Sequence, residues 1–254
     1  MWKGKVARKC LKQNVMTFAY GATHKGRQDQ IRDYIRKQAD KGTPVFDFPK
    51  SMSLVDRRNL EWNLVMFMAG EAGKAIDEVL VGPRQTMTWF KSIVKEYNKD
   101  KQAMTWVTPV GFPVIQDYKK MKTKRLDTFF DGIRLVLKRK ETTDILDGTK
   151  CSSSFAPNVI HSYDSAHLMM TINRLSDMGI KDFGVVHDSF ATHLGHVQDL
   201  ADQLRRTFIE MYRGNVADSM HQEFQSGLGR ALPEPIKSGH LDVTRIMESD
   251  YFFN

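Results

Sequence analysis

The stretch "DFGVVHDSF", residues 182–190, ends an apolar run of Phe183, Gly184, Val185 and Val186 on His187, Asp188 and Ser189. It reads as a buried strand whose tip carries a carboxylate. Carboxylate oxygens suit hard divalent cations, and two-ion chemistry calls for a second carboxylate nearby. His187, Asp188 and Ser189 also have the residue types of a hydrolytic triad. Adjacent positions in a strand turn point in different directions, however, and cannot relay one proton. The eight histidines show no zinc-type spacing.

A second pattern opens the chain. Arg8, Lys12, Met16 and Tyr20 recur at four-residue steps, so on a helix they form one slowly drifting stripe about 18 Å long. An extended nucleoside triphosphate has that length, with cations at one end for phosphates and an apolar, aromatic end for sugar and base. Gly21, directly after Tyr20, permits close approach of a backbone or base. The same spacing describes a basic amphipathic helix with Met16 and Tyr20 in the core, and spacing alone favours that simpler reading. "GATHKG" has P-loop glycine spacing, but Arg27-Gln28 stand where Lys-Ser/Thr is required.

The elements that must position these residues belong to an ordinary globular chain. It has 254 residues, 41% hydrophobic, 27% charged and 10% aromatic, enough for a substantial core and one or two domains. No apolar run is long enough to cross a bilayer, and the start lacks the apolar stretch of a signal peptide. Cys10 and Cys151, far apart, suggest reduced, buried thiols rather than a disulfide scaffold. Net charge is +8 over residues 1–50, zero over 51–100, +5 over 101–150 and −5 over 151–254. A basic front and acidic rear suit a polyanion-binding face joined to a metal-binding core, although a solvated basic surface explains the charge alone.

Periodicity predicts helices from Lys3 to about Ala19, Gly26 to Ala39, over 53–81 and over 85–97. "VGP" reads as a stop between the last two. Residues 106–118 read as extended segments with turns, and 125–154 as two strands around a polar tip, a hairpin with a basic arm. A helix capped by Asp164 or Ser165 runs to about Met178, strand 182–186 follows, then a helix from about Val197 to Tyr212.

With these segments in view, the chain resembles the single-subunit, phage- and mitochondrial-type DNA-directed RNA polymerases. "RKCLKQNVMTFAYGA" (8–22) is similar to their nucleotide-binding helix. "WVTPVGFPVIQDYKK" (106–120), "APNVIHSYDSAHLMMT" (156–171), "VVHDSF" (185–190) and "ESDYFFN" (248–254) resemble further segments in the same order. Five collinear motifs are far more specific than any one. The resemblance implies an α+β fold of the right-hand type. Residues 1–124 would be mostly helical fingers, 125–154 a specificity-type β-hairpin, and 155–254 part of the palm, an antiparallel β turn with helices, plus a C-terminal foot.

Roles follow from the resemblance where residues match. Asp188 would bind Mg²⁺. Arg8 and Lys12 would meet the triphosphate, with Lys12 as a proton donor to pyrophosphate, and Met16 and Gly21 would complete the nucleotide site. Tyr20 would sit beside the ribose and discriminate ribo- from deoxyribonucleotides. His161 would contact the RNA–DNA hybrid at its minor-groove edge, and Tyr251–Asn254 would return toward the active site. On the hairpin, Arg125, Asp127 and Arg134 would read base edges in the major groove, while Lys138, Arg139 and Lys140 are phosphate contacts or solvated charge. The implied partners are DNA template or promoter, RNA product and NTPs, with no membrane.

Family A DNA polymerases share related motifs. They usually carry His-Asp-Glu and an aromatic one turn before the Tyr-Gly, where this chain has Ser189 and Met16. In the resembled family the first catalytic aspartate lies upstream of the nucleotide helix, whereas none of the seven residues before Arg8 is acidic. The expectation is therefore a fold incomplete without an N-terminal portion and active only with a second polypeptide. That chain would carry the N-terminal domain, the thumb and the first palm aspartate. A truncated gene product and a non-catalytic DNA-binding accessory fragment are the competing readings. The expected location is the cytoplasm of an infected bacterial cell, or alternatively a mitochondrion.

Overall fold

The periodic apolar positions fold as helices, and several start on caps that the sequence supplies. A computed structural model describes residues 1–2, 4–186 and 188–252. The chain divides into two compact units, Met1–Thr88 and Trp89–Asn254, with the division inside a helix.

In the first unit, α1 (Arg8–Phe18), α2 (His24–Asp40) and α3 (Leu54–Val79) are followed by α4 (Val81–Lys99), which enters the second. The Thr23 and Ser53 hydroxyls cap α2 and α3, accepting from the N–H groups of Gly26 and Asp56, each at 3.1 Å. Trp2, Cys10, Ile31, Ile35, Val65 and Met68 belong to the core they enclose, each large aliphatic contributing about 1.5–3 kcal/mol. The first helix starts at Arg8 rather than Lys3; Lys3 itself lies outside the described residues. Gly4 takes φ +71°, and Lys5 N–H closes a turn onto the Trp2 carbonyl at 2.9 Å. That turn accompanies the seating of Trp2 in the core, where its indole N–H donates to the Leu64 carbonyl. "VGP" is no stop either, because the break falls at Leu80 and Pro83 occupies the first turn of α4, where its missing N–H is harmless.

The second unit continues with the paired strands β1 (Met104–Val107) and β2 (Pro113–Gln116) and the long hairpin of β3 (Lys119–Phe130) and β4 (Ile133–Leu146). After α5 (Gly148–Asp177) come the hairpin of β5 (Phe183–Val186) and β6 (Ser189–Thr192), α6 (Val197–Tyr212) and α7 (Val216–Leu228). The fold is α+β, and all three sheets among the described residues are two-stranded and antiparallel. Phe155 anchors the core, its ring 5.2, 5.7 and 5.5 Å from those of Phe90, Trp106 and Phe224, all edge-on.

Two expectations are corrected here. Residues 148–163 are helical, because α5 begins at Gly148 under the Asp147 carboxylate, which accepts from Lys150 N–H at 3.0 Å. The Ser152–Ser154 run and Pro157 lower local helix preference, but burial of Cys151, Phe155, Ala156 and Val159 overrides it. Strand β5 is not buried: Phe183 and Val185 are half-covered while Gly184 and Val186 face outward. A two-stranded sheet packed on one side leaves its other face to solvent. Cys10 and Cys151 are buried free thiols, and burial pushes Cys10 up to about 11. Among the described residues no helix is long and apolar enough to cross a membrane.

Candidate functional site

The stripe on α1 faces out because the opposite face is fastened inward. Cys10 and Asn14 are buried. Asn14 Nδ2 donates to Gln30 Oε1 at 2.9 Å, and Gln30 Nε2 donates to the Thr17 hydroxyl at 3.0 Å. These bonds fix the rotation of α1 against α2, so Arg8 and Lys12 are exposed. Met16 is 56% and Tyr20 38% exposed, so the simpler reading with both side chains in the core is excluded. Arg8, Lys9 and Lys12 have no acidic residue on the same helix to neutralise them, and the face is cationic. The helix ends at Phe18. Gly21 N–H bonds to the Phe18 carbonyl at 2.9 Å and Ala22 N–H to the Thr17 carbonyl at 3.1 Å, a Schellman closure with Gly21 at φ +76°. Tyr20 therefore stands in the closing turn, two residues past the end of the helix.

The second unit presents the carboxylate. Val186 pairs with Ser189, which puts Asp188 in the two-residue turn of the β5–β6 hairpin, exposed to solvent; its neighbour His187 lies outside the described residues. Asp188 lines a cavity of about 610 Å³ together with Asp202, Arg205, Asp250 and Phe252. The C-terminal segment is held there by Arg205 Nη2, which donates to the Ser249 carbonyl at 3.0 Å, and by Phe252, whose ring is 5.1 Å from that of Phe208. The described part of the segment, 248–252, thus returns to the turn through Phe252, while Tyr251 is exposed and residues 253–254 lie outside the described residues.

Residue Asp164 was missed by sequence reasoning. On α5 its Oδ2 lies 3.9 Å from Nδ1 of the exposed His161. Burial raises the Asp164 carboxyl above its ordinary value; His161 and His167 oppose this, and the charge of Asp188 adds to it. Asp164 and Asp188 are therefore within electrostatic reach. The signal was the three-residue spacing of His161, Asp164 and His167, which reads as one helix face only if the helix extends upstream of Asp164. Deeper in, His167 Nε2 is 2.9 Å from the Leu204 carbonyl, and the hydroxyls of Thr171 and Thr207 bond at 2.8 Å, tying α5 to α6 beneath the turn. Oxygen donors at Asp188 fit a hard cation such as Mg²⁺, which commonly uses one or two carboxylates with substrate phosphates and waters. Among the described residues no group of three or more His, Cys, Asp or Glu gathers into a complete cage.

The third element is the β3–β4 hairpin. Its register pairs Arg125 with Lys138, Asp127 with Val136 and Phe129 with Arg134, and partners across a sheet share a face. Arg125, Asp127 and Arg134 are thus brought to one face, and Arg134 Nη2 bonds Asp127 Oδ1 at 3.0 Å. The opposite face carries Leu126, Phe130, Ile133, Leu135 and Leu137. The tip lies at Asp131–Gly132, flanked by apolar residues rather than polar ones. Asp-Gly between strand-forming residues is the strongest short hairpin signal and would have located it. Arg8, Lys12, Met16, Tyr20 and Gly21 belong to the first unit; Asp188, His161 and the hairpin residues belong to the second.

Comparison with known proteins adds the context. A family model described as DNA-dependent RNA polymerase matches residues 1–234. The chain is 33% identical over 250 residues to DNA-directed RNA polymerase 3, chloroplastic, of Nicotiana sylvestris, covering 98% of this chain and 24% of that protein. It is 32% identical to DNA-directed RNA polymerase 1, mitochondrial, of Arabidopsis thaliana, with the same coverage. It is 31% identical to DNA-directed RNA polymerase 2A of Nicotiana tabacum, of which it covers 70%. The chain spans about a quarter of the length of the first two relatives.

Proposed function

Because the chain belongs to the DNA-dependent RNA polymerase family, we propose that it supplies the nucleotide grip and one metal-binding carboxylate of a template-directed ribonucleotidyl transferase. The observation that carries this reading is the open face of α1 and of the turn that closes it. There Met16 and Tyr20 stay out of the core beside two cations on the face that a triphosphate would need. Arg8 and Lys12 hold the phosphates, and Lys12 delivers a proton to the departing pyrophosphate. Met16 and Tyr20 receive the sugar and base, with the Tyr20 hydroxyl sensing the ribose. Asp188 holds Mg²⁺, which when bound neutralises charge on the reacting phosphates. His161 meets the product hybrid, and the hairpin reads promoter DNA through Arg125, Asp127 and Arg134. The DNA polymerase alternative gives way, since the matching relatives are named RNA polymerases.

Asp188 is the only carboxylate that the proposal assigns to the metal, and among the described residues no group of three or more His, Cys, Asp or Glu gathers into a metal site. The remaining ligand comes from further polypeptide bearing the N-terminal domain, the thumb and a palm aspartate. The test mixes this chain with such a polypeptide and measures template-dependent ribonucleotide incorporation. Synthesis should appear with wild type and vanish with Asp188→Ala, while DNA binding is retained. No synthesis from any such mixture refutes the proposal. Loss of DNA binding together with synthesis in Asp188→Ala would assign that variant to misfolding.

A further inference from the structure

The far end of the hairpin carries chemistry that the reading face does not use. Asp131 and Gly132 form a two-residue turn at φ +49° and +74°, the left-handed pair that matches strand twist, so the ribbon ends abruptly. Around it Phe129, Phe130 and Ile133 are 71%, 74% and 65% exposed. Phe130 pairs with Ile133 and places both on the face away from Arg125 and Asp127; Phe129, opposite Arg134, lies on the reading face. The tip therefore shows an aromatic ring on each side.

Charge decides what covers it. Strands β3 and β4 carry nine Lys or Arg against three Asp or Glu. A second copy of this ribbon would be repelled by the same excess. A partner with apolar, flat surfaces embedded in negative charge is complementary to it, and nucleic-acid bases between phosphates have that chemistry. A two-stranded ribbon is also narrow enough to enter the major groove.

We propose that the hairpin tip is a stacking site for unpaired or unstacked bases, formed by Phe130 with Ile133 on the face away from Arg125 and Asp127. Apolar wedges of this kind insert between base steps and hold them apart. The strand cations grip the flanking phosphates. This rests on reading the hairpin as a DNA-binding element and adds to it a preference for opened over paired DNA.

The test uses the intact chain and two DNAs of one sequence, a full duplex and the same duplex with a short unpaired bubble containing 2-aminopurine. Wild type should bind the bubble more tightly, by about 5- to 150-fold for one stacked base, and quench its fluorescence. Phe130→Ser/Ile133→Ser should lose that preference and the quench while keeping duplex affinity, salt dependence and the melting transition. Phe130→Tyr should retain the preference. Equal binding of the two DNAs by wild type overturns the proposal, as does a preference that survives the double Ser variant. So does concentration-dependent dimerisation abolished by that variant, which would assign the tip to a second copy. Lys138→Ala/Arg139→Ala should weaken both DNAs alike. If it does, the hairpin binds DNA and the tip is judged separately; if wild type binds neither DNA, both readings fall.

Discussion

Asp127→Ala separates the proposed reading role of the hairpin from a structural one. Arg134 Nη2 and Asp127 Oδ1 are 3.0 Å apart, and the side chains are 65% and 54% exposed. An ion pair so open to water is worth about 0.2–1 kcal/mol, so its loss should leave the melting transition nearly unchanged. Its effect on DNA should be larger and selective. Under the proposed function Asp127 would accept from a cytosine amino group, and its contact holds one nitrogen of the Arg134 fork that would meet guanine. A single such contact discriminates by about 1–3 kcal/mol, or about 5- to 150-fold. Removing one negative charge should at the same time raise affinity for all DNA slightly. The assay enriches preferred duplexes from a random pool with wild type, then measures binding to each single-base variant at fixed salt for wild type, Asp127→Ala and Asp127→Asn. Specificity should collapse at one or two adjacent positions in Asp127→Ala and survive in part in Asp127→Asn, which keeps an acceptor. A stability loss above about 2 kcal/mol would make the pair structural. Unchanged discrimination at every position would mean that this face does not read bases.

Three further outcomes follow from particular contacts. A Cβ at Gly227 would stand 2.8 Å from Tyr97 Oη, which donates to the Phe224 carbonyl at 2.8 Å. Overpacking of about 1–3 kcal/mol then opposes the helix preference for Ala of about 1 kcal/mol. Gly227→Ala should be neutral to about 2 kcal/mol destabilising in wild type but stabilising in a Tyr97→Phe background, and equal effects in both by denaturant titration would remove the clash from the account. Burial holds His167 below its ordinary range, opposed in part by its hydrogen bond to the Leu204 carbonyl and by the charge of Asp164. The unfolded chain therefore takes up this proton first as pH falls below about 6.5, so stability drops from there toward the lowered folded value. That part of the drop should disappear in His167→Gln, and an unaltered pH profile would contradict it. In the completed polymerase, Tyr20→Phe should relax rNTP over dNTP selection by about 1–3 kcal/mol; an unchanged preference ratio would displace Tyr20 from the sugar.

The candidate site was legible where short-range order specified it. The four-residue stripe on α1, the strand turn bearing Asp188 and the order of five motifs are properties of neighbouring residues, and a reader needs no long-range contact to see them. Burial is different. Spacing alone favoured Met16 and Tyr20 as core residues, and only the Asn14–Gln30–Thr17 bonds to α2 turned that face outward. Likewise the start of α5 was hidden by three serines and a proline, whose local penalties yield to the packing of Phe155 against Phe90, Trp106 and Phe224. Extending that helix is what sets Asp164 beside His161 and in the field of Asp188.

By itself the sequence determined which residue types are present, their local periodicity and the capped ends of several helices, because those depend on a few adjacent side chains. Tertiary structure decided which stripe stays wet, which hairpin face collects Arg125, Asp127 and Arg134, and that Phe252 comes back to the turn of Asp188. Each of those outcomes depends on partners many residues away, whose burial outweighs the roughly 1 kcal/mol preferences that local sequence expresses.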